Sequence, residues 1–280
     1  METCEVRTKF VDDGSASACD AAATVRTTSE EPAAMPRRGQ DLLGPGSGTP
    51  VVIDLWLVDL QAGEAETQRL SGICSREERE KAATFLHSAD SRRTLVCRGR
   101  LREILAHYVG APPNGLTIGV GRRGKPFLAE PGSIKCRNRQ PFFNVSHCGE
   151  KAAIAISLQQ DVGVDIEMPR HVEPEIATLY FAAAEVEALS RLSGAAWRLG
   201  FFRCWTRKEA FLKLLGCGLA RTLDSFSVPI DADGEALSVS CGAASASRWR
   251  LQSFEDGTGL IGAVCVESGA RPVVVRRYFA

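Results

Sequence analysis

The chain has 280 residues, of which 44% are hydrophobic and 24% charged, so it is long enough for one large or two modest globular domains. Its 34 basic and 34 acidic residues give a formal net charge of zero, which excludes a global field as the basis for binding nucleic acid or an anionic membrane. Because the sequence also lacks a secretory leader pattern, an apolar run of ~18–20 residues and C-x-x-C spacing among its ten cysteines, we expect a cytoplasmic protein with reduced thiols and neither a membrane nor a nucleic-acid partner.

The first 50 residues differ in composition from the rest of the chain. They are rich in Gly, Pro, Ser, Thr, Ala and charge, and they show no apolar periodicity. We interpret them as a disordered, mobile N-terminal arm or, in part, as a mispredicted start. Order is expected from Val51, where residues 51–60 have the β-branched and aromatic content of a buried strand.

The first half of the ordered chain mixes helices and strands. Ser75 and Glu78 have capping-box spacing at the start of a predicted helix, and a second helical run ends at Gly110. Strand-like segments separated by turn residues follow at Leu116–Val120, Phe142–Ser146, Ala152–Leu158 and Val162–Glu167.

A similar order of elements recurs after Pro169. Helices are predicted at about Ala182–Leu192 and Gly200–Leu215, and strands at Ser225–Val228, Trp249–Phe254, Leu260–Val266 and Pro272–Tyr278. Each half has an early strand with an apolar residue before Asp, then an acidic helix and a basic, apolar helix. We therefore predict an α+β fold with two similar lobes, residues 51–160 and 161–280, and a ligand site at their interface.

Two carboxylates lie two residues apart in the predicted strand 162–167. Side chains alternate along a strand, so Asp165 and Glu167 share one face while Val164 and Ile166 share the other. Two converging acids can bind a divalent metal, although a solvated face of an edge strand also explains them. Gly163 favours a functional interpretation, because glycine in a strand often marks close approach by a ligand or a neighbouring segment.

The segment 201–215 forms a strongly amphipathic helix. Glu209 and Lys213 lie one turn apart on a flank beside its apolar stripe. Taken alone, the two are explained by an ordinary ion pair worth about 0.2–0.5 kcal/mol. Lys208 lies within the stripe, either as a snorkelling surface lysine or as a buried amine that reaches into the site.

Several polar residues at strand ends and helix starts are candidate ligand contacts. Ser146 and His147 end a predicted strand, and adjacent strand residues face opposite ways, so they do not easily form a Ser–His dyad. His147 is either a hydrogen-bonded structural residue or a ligand contact. Lys125 lies in a rigid turn and Arg93 at the start of a helical run, where each can grip a phosphate or join a solvated cluster.

Four ordered motifs resemble those of the Sfp-type 4′-phosphopantetheinyl transferases, which activate carrier proteins of polyketide, peptide and fatty-acid synthesis. The motifs are Gly124-Lys125-Pro126, Phe143-Asn144-Val145-Ser146-His147, Gly163-Val164-Asp165-Ile166-Glu167 and Trp205-Thr206-Arg207-Lys208-Glu209-Ala210-Phe211-Leu212-Lys213. The resemblance extends from about Val51 to the C-terminal strands. It implies a monomer with a pseudo-dimeric fold that transfers 4′-phosphopantetheine from coenzyme A to a serine of an apo acyl or peptidyl carrier protein, releasing 3′,5′-ADP, an activity of the holo-acyl-carrier-protein synthase type.

The resemblance also implies roles for individual residues. Magnesium is expected on Asp165, Glu167 and Glu209. Lys213 is expected to contact a phosphate of the pyrophosphate and, with Glu209, to take part in catalysis, while Glu185 falls where the family carries a candidate general base. Contacts to coenzyme A are expected from Lys81, Arg93, Thr94, Lys125, Ser146, His147 and Lys213.

Other interpretations of the same residues stay open. The three acids also fit another magnesium-dependent phosphoryl transferase or hydrolase, and the fold fits a catalytically dead module that binds coenzyme A or a carrier. Glu78 departs from the family, because some members carry a basic residue facing the nucleotide there. A local basic surface that could steer an acidic carrier domain is expected from Arg170, Arg191, Arg198, Arg203 and Arg207.

Overall fold

The computed structural model describes residues 49–129, 140–216, 221–230, 249–269 and 271–280, and the backbone of residues 237–238. The strands in these ranges are β1 (Val51–Asp59), β2 (Ile118–Val120), β3 (Pro126–Leu128), β4 (Phe142–Cys148), β5 (Lys151–Ser157), β6 (Val162–Glu167), β7 (Leu237–Ser238), β8 (Trp249–Glu255), β9 (Ile261–Glu267) and β10 (Val273–Phe279). The helices are α1 (Glu64–Ile73), α2 (Arg76–Ala83), α3 (Ser88–Val109), α4 (Pro174–Tyr180), α5 (Ala183–Ser190) and α6 (Gly194–Leu215), with 3₁₀ turns at Pro113–Gly115 and Leu223–Ser225. No helix in these ranges combines the length and apolarity needed to cross a membrane.

The strands form two sheets and a separate hairpin of β2 and β3. Sheet A has the order β10-β1-β5-β4, and sheet B has the order β6-β9-β8-β7. All pairs are antiparallel except β1 with β10. Two mainly antiparallel sheets with their own helices confirm the predicted α+β fold of two lobes.

The last strand of the chain belongs to sheet A, whereas the prediction placed all of residues 161–280 in the second lobe. In the pairing of β10 with β1, Val51 lies opposite Val273 and Leu57 opposite Phe279. The physical reason is the burial of β1, whose backbone groups need a hydrogen-bonding neighbour on both edges. The assignment of this strand is therefore corrected: β10 completes the first lobe.

The two sheets face each other, and the helices cover their outer faces. Apolar side chains of β1, β5 and β6 fill the layer between the sheets. A second core lies between sheet A and α3, and a third between sheet B and α6. Val164 and Ile166 enter the layer between the sheets, so the alternation of β6 directs Asp165 and Glu167 away from it.

Some elements differ from the predicted ones. The expected strand Ser225–Val228 is replaced by the 3₁₀ turn Leu223–Ser225, and α6 begins at Gly194 rather than near Gly200. Helices α1 and α4 were not predicted, whereas the capping box of Ser75 at the start of α2 is confirmed. The prediction for the N-terminal arm falls on residues that, apart from 49 and 50, lie outside the described ranges.

Gly163 marks a close approach of α6 to sheet B. A Cβ atom at this position would lie 2.0 Å from the carbonyl oxygen of Ala210 and 2.5 Å from the backbone nitrogen of Leu214. Both distances are far below van der Waals contact, so only glycine lets the helix backbone come this near. Of the two uses expected for Gly163, the structure shows the approach of a neighbouring segment.

Replacing Gly163 tests this close approach. Gly163→Ala is expected to destabilise the protein by about 1–3 kcal/mol or more, because α6 must move away from β6. Gly72→Ala in α1 is the matched control: its added Cβ meets nothing within 4 Å, and alanine in a helix gains roughly 0.5–1 kcal/mol over glycine. Urea denaturation followed by tryptophan fluorescence measures both, and equal stability of the two variants would contradict the argument.

Candidate functional site

The two lobes meet where β4, an edge strand of sheet A, runs beside β6, an edge strand of sheet B. Backbone N–H groups of β6 donate to side chains of β4 at every second residue. The pairs are Val164 with Asn144 Oδ1 at 3.1 Å, Ile166 with Ser146 Oγ at 3.4 Å, and, just past the strand, Met168 with Cys148 Sγ at 3.3 Å. We call this row of contacts the interlobe seam. It satisfies polar backbone groups that an edge strand would otherwise leave unpaired.

Asp165 lies in the seam and is 1% exposed. Its Oδ1 accepts hydrogen bonds from Ser146 Oγ at 2.8 Å and from Lys213 Nζ at 2.7 Å, and Lys213 also donates to Ser146 Oγ at 2.9 Å. Its Oδ2 is buried and has no hydrogen-bond partner within the described part of the chain. A buried carboxylate oxygen left unsatisfied is costly, so Asp165 presents an open acceptor suited to a cation.

Glu167 is the second buried acid of β6. Its Oε2 lies 2.9 Å from an Arg170 guanidinium nitrogen and 3.7 Å from Cys148 Sγ, and Arg170 also lies over the ring of Phe202. Burial, followed by the charge of Glu167, raises the pKa of the Cys148 thiol, so at neutral pH this thiol is a hydrogen-bond donor. Sequence reasoning missed both partners of Glu167. The alternation of Asn144, Ser146 and Cys148 along β4 was the available signal for one of them.

Glu209, the third predicted metal ligand, lies half-buried on α6, one turn before Lys213. Among the described residues, no three His, Cys, Asp or Glu side chains converge as a group that could hold a metal. The structure thus brings Asp165, Glu167 and Lys213 to one seam but does not assemble the predicted trio of acids. The donor set still suits magnesium, a hard cation that prefers carboxylate oxygens, and magnesium at this site stays a prediction.

Ser146 and His147 lie on opposite faces of β4, as the strand alternation predicts. The Ser146 hydroxyl is buried and fully engaged with Asp165, Lys213 and the backbone of Ile166. These contacts place the Ser146 hydroxyl in the acidic site, and its expected contact to coenzyme A stays a prediction. The His147 side chain is exposed, so a contact to coenzyme A is sterically possible and stays a prediction.

The remaining residues expected to bind coenzyme A lie on several elements of the first lobe. At the start of α3, Arg93 donates to Glu150, in the turn between β4 and β5, at 2.8 Å and to Asp90 at 2.8 Å. Thr94 is half-buried beside it, and Lys81 is exposed on α2. This places Arg93 beside the turn that follows His147.

Lys125 connects the β2–β3 hairpin to the end of α6. Its Nζ donates to Asp161 Oδ1 at 2.8 Å and to the carbonyl oxygen of Leu214 at 3.0 Å. A cation at the C-terminus of a helix satisfies a free carbonyl and interacts favourably with the helix dipole. Lys125 therefore has a structural role in addition to the predicted one.

Glu185, the predicted general base, is 2% exposed in the second lobe. Its carboxylate accepts from the backbone N–H groups of Ala182 at 2.8 Å and Val228 at 2.7 Å, and it pairs with Lys208 Nζ at 2.7 Å. Taking a proton from a substrate would require breaking these buried contacts. The structure thus gives Glu185 a structural role, and these contacts argue against its predicted role as general base, which stays untested. Lys208 is therefore a buried amine rather than a snorkelling surface lysine, and its Nζ pairs with Glu185.

The first lobe contains a matching arrangement. Arg102 and Lys208 are each the fifteenth residue of a 22-residue helix, counted from Ser88 in α3 and from Gly194 in α6. Arg102 pairs with Glu78 at 2.6 Å, as Lys208 pairs with Glu185. Each glutamate also accepts the backbone N–H of the residue that caps its own short helix, Ser75 for α2 and Ala182 for α5. Each cation also donates to two backbone carbonyls. Arg102 donates to Pro113 at 3.1 Å and Leu116 at 2.9 Å. Lys208 donates to Leu223 and Phe226, both at 2.6 Å. We call the two sets the first-lobe clamp and the second-lobe clamp.

The five arginines predicted to form one basic surface have different environments. Arg207 is fully buried and donates to Ser253 Oγ at 2.9 Å and to the carbonyl of Pro229, so it is removed from that surface. Arg170 is engaged with Glu167, and Arg203 is half-buried. The exposed members are Arg191 and Arg198.

Comparison with known proteins finds matches across both lobes. Residues 161–265 match the family described as the 4′-phosphopantetheinyl transferase superfamily, and residues 61–159 match "4′-phosphopantetheinyl transferase, N-terminal". A 4′-phosphopantetheinyl transferase of Bacillus subtilis is 33% identical over 175 residues, 62% of this chain and 74% of the relative. The transferase Sfp of Bacillus subtilis strain 168 is 29% identical over 178 residues, 64% of this chain and 76% of the relative. The L-aminoadipate-semialdehyde dehydrogenase-phosphopantetheinyl transferase of Xenopus laevis is 29% identical over 165 residues, 54% of this chain and 53% of the relative.

The clamps make a prediction about stability. Lys208→Met leaves the Glu185 charge buried without its counter-ion and is expected to lower the free energy of unfolding by about 3–5 kcal/mol. Arg102→Met should cost a similar amount in the first lobe, whereas Lys81→Met, on an exposed side chain, should stay within about 0.5 kcal/mol. Urea denaturation of the three variants decides; a Lys208→Met protein as stable as Lys81→Met would show that the clamp is not structural.

Proposed function

Because this chain belongs to the 4′-phosphopantetheinyl transferase superfamily, we propose that it transfers 4′-phosphopantetheine from coenzyme A to a serine of an apo acyl or peptidyl carrier protein. The observation that carries the proposal within the site is the grouping of Asp165, Glu167 and Lys213 at the interlobe seam. It places two carboxylates beside a cation where the two lobes meet. The overall reaction is of the holo-acyl-carrier-protein synthase type, carried out by a monomer in the cytoplasm.

The reaction has a simple balance of bonds. The carrier serine oxygen forms a bond to the phosphorus that bears pantetheine, and the bond from that phosphorus to the phosphate of 3′,5′-ADP breaks. The serine loses a proton, and negative charge develops on the leaving phosphate. The site must therefore supply positive charge beside the pyrophosphate and an acceptor for one proton.

We assign the metal to the acids of the seam. Asp165 and Glu167, with Glu209 from α6, would hold magnesium, and the unpartnered Oδ2 of Asp165 supports this assignment. When bound, magnesium supplies a positive charge that offsets the charge of the pyrophosphate. Lys213 supplies a second positive charge: its side chain is 24% exposed, so the amine can reach a phosphate oxygen while staying next to Asp165.

The proton acceptor is also assigned to Glu209, with one carboxylate oxygen holding the metal and the other taking the proton. Glu185 is held in the second-lobe clamp by three hydrogen bonds, which argue against a role in proton transfer. Glu209 is half-buried and lies one turn from Lys213, on the side of α6 that also carries the phosphate-binding amine. The nucleotide end of coenzyme A is assigned to the first lobe, with Arg93, Thr94, His147, Lys81 and Lys125 as contacts.

Intact-mass spectrometry tests the proposed function. The purified protein, incubated with coenzyme A, magnesium and a panel of apo carrier proteins, is expected to add one phosphopantetheine to at least one carrier. Asp165→Asn should lower the rate by about 10²–10³-fold, because it removes a carboxylate that would hold the magnesium ion. Glu64→Gln, on an exposed residue of α1, is the control for loss of a carboxylate and should keep full activity. A panel in which no carrier gains mass rejects the transferase assignment.

A further inference from the structure

The interlobe seam ends at Cys148, the last residue of β4. Its sulfur accepts the backbone N–H of Met168 at 3.3 Å, and its thiol donates to Glu167 Oε2 at 3.7 Å. Cys148 also packs against the apolar layer between the sheets. One side chain of the first lobe thus holds both the backbone of the second lobe and one of its buried acids.

The three seam side chains of β4 all bind the backbone of the β6 segment, but only two of them also bind one of its acids. Each accepts a backbone N–H of the β6 segment. Ser146 in addition donates to Asp165, and Cys148 in addition donates to Glu167, whereas the contact described for Asn144 is with the backbone alone. Each acid of β6 is therefore matched by one hydroxyl or thiol of β4, two residues apart on both strands.

Glu167 is held from two sides. Arg170 lies three residues further along the same chain, beyond the end of β6, and its side chain is 35% exposed. Cys148 lies on β4, a strand paired along its length with β5, and approaches from the other lobe. Both bind the same oxygen, Oε2. If Cys148 is removed, Arg170 is the one described side chain that still binds this carboxylate.

We propose that Cys148 is a positioning residue for Glu167: its thiol fixes the direction in which the carboxylate presents its oxygens to a divalent cation. The role rests on the proposed function, because it needs Glu167 to be a metal ligand. Groups that hydrogen-bond a metal-binding carboxylate typically contribute about 10–100-fold to metal affinity or activity, and a thiol is a weak donor, so about tenfold is expected here.

The experiment compares Cys148→Ala, Cys148→Ser and Asn144→Ala. Manganese binding is measured by the loss of the free Mn²⁺ signal in electron paramagnetic resonance, with coenzyme A present in every sample and protein-free samples as background. Cys148→Ala should weaken Mn²⁺ binding about tenfold, whereas Cys148→Ser, which keeps a donor and an acceptor, should stay within about threefold. Asn144→Ala removes a seam hydrogen bond of the same kind and should lower stability while leaving Mn²⁺ affinity unchanged.

A transfer assay gives a second measurement. For Cys148→Ala, the Mg²⁺ concentration at half-maximal rate should rise by the same factor as the Mn²⁺ dissociation constant, while the KM for the carrier protein stays constant. A defect in packing alone would lower stability without raising the Mg²⁺ requirement selectively over the KM for the carrier protein.

Each outcome decides a different point. If the unaltered protein binds Mn²⁺ and Cys148→Ala binds it equally well, the positioning role is overturned while the metal site stands. Equal weakening by Asn144→Ala and Cys148→Ala, or no recovery in Cys148→Ser, also overturns the role, because the effect then belongs to the seam as a whole. If the unaltered protein binds no Mn²⁺, both the metal site and the role of Cys148 fall.

Discussion

The structure depends on one edge-to-edge contact, in which side chains of β4 replace the missing neighbour of β6. An edge strand exposes a row of N–H groups, and burying such a row is possible only when acceptors are supplied. Asn144, Ser146 and Cys148 supply them at a period of two, which matches the N–H groups of Val164, Ile166 and Met168. A shift by one residue would turn Asp165 and Glu167 into the apolar layer between the sheets. The seam therefore joins the lobes and fixes the direction of both acids at once.

The two lobes repeat one arrangement of side chains but differ at one aspartate. Both contain a clamp of a glutamate and a buried cation at matching positions of a long helix. In the first lobe, Asp54 on β1 has Oδ1 bound by Arg276 and Oδ2 by Tyr108 and Arg276, so both of its oxygens are satisfied. In the second lobe, Asp165 keeps Oδ2 without a partner in the described structure. The aspartate beside the seam is thus the one that retains an open oxygen, which agrees with a ligand site in that lobe.

The sequence was sufficient where the determining pattern is local. Alternation placed Asp165 and Glu167 on one face, and Gly163 indicated a close approach. Sequence reasoning failed where the partner lies far along the chain. Whether Lys208 is buried depends on Glu185 and on carbonyls of a 3₁₀ turn that the β-rich composition of that segment did not suggest. The seam was also not predicted, because local patterns do not determine which two edge strands of different sheets become neighbours.

Charge balance connects the folded protein with its proposed chemistry. Two buried carboxylates so close together are tolerated because each has its own cation, Lys213 for Asp165 and Arg170 for Glu167. At an effective dielectric constant near 20, a pair of unit charges at 4 Å interacts by about 4 kcal/mol, so each cation offsets part of the cost of burying its acid. In the proposed reaction, a divalent cation would add positive charge beside the carboxylates, and the pyrophosphate would add negative charge beside Lys213. The Lys213 amine, which pairs with Asp165 in this structure, would then also face a phosphate oxygen, so the proposed site would leave no buried charge uncompensated.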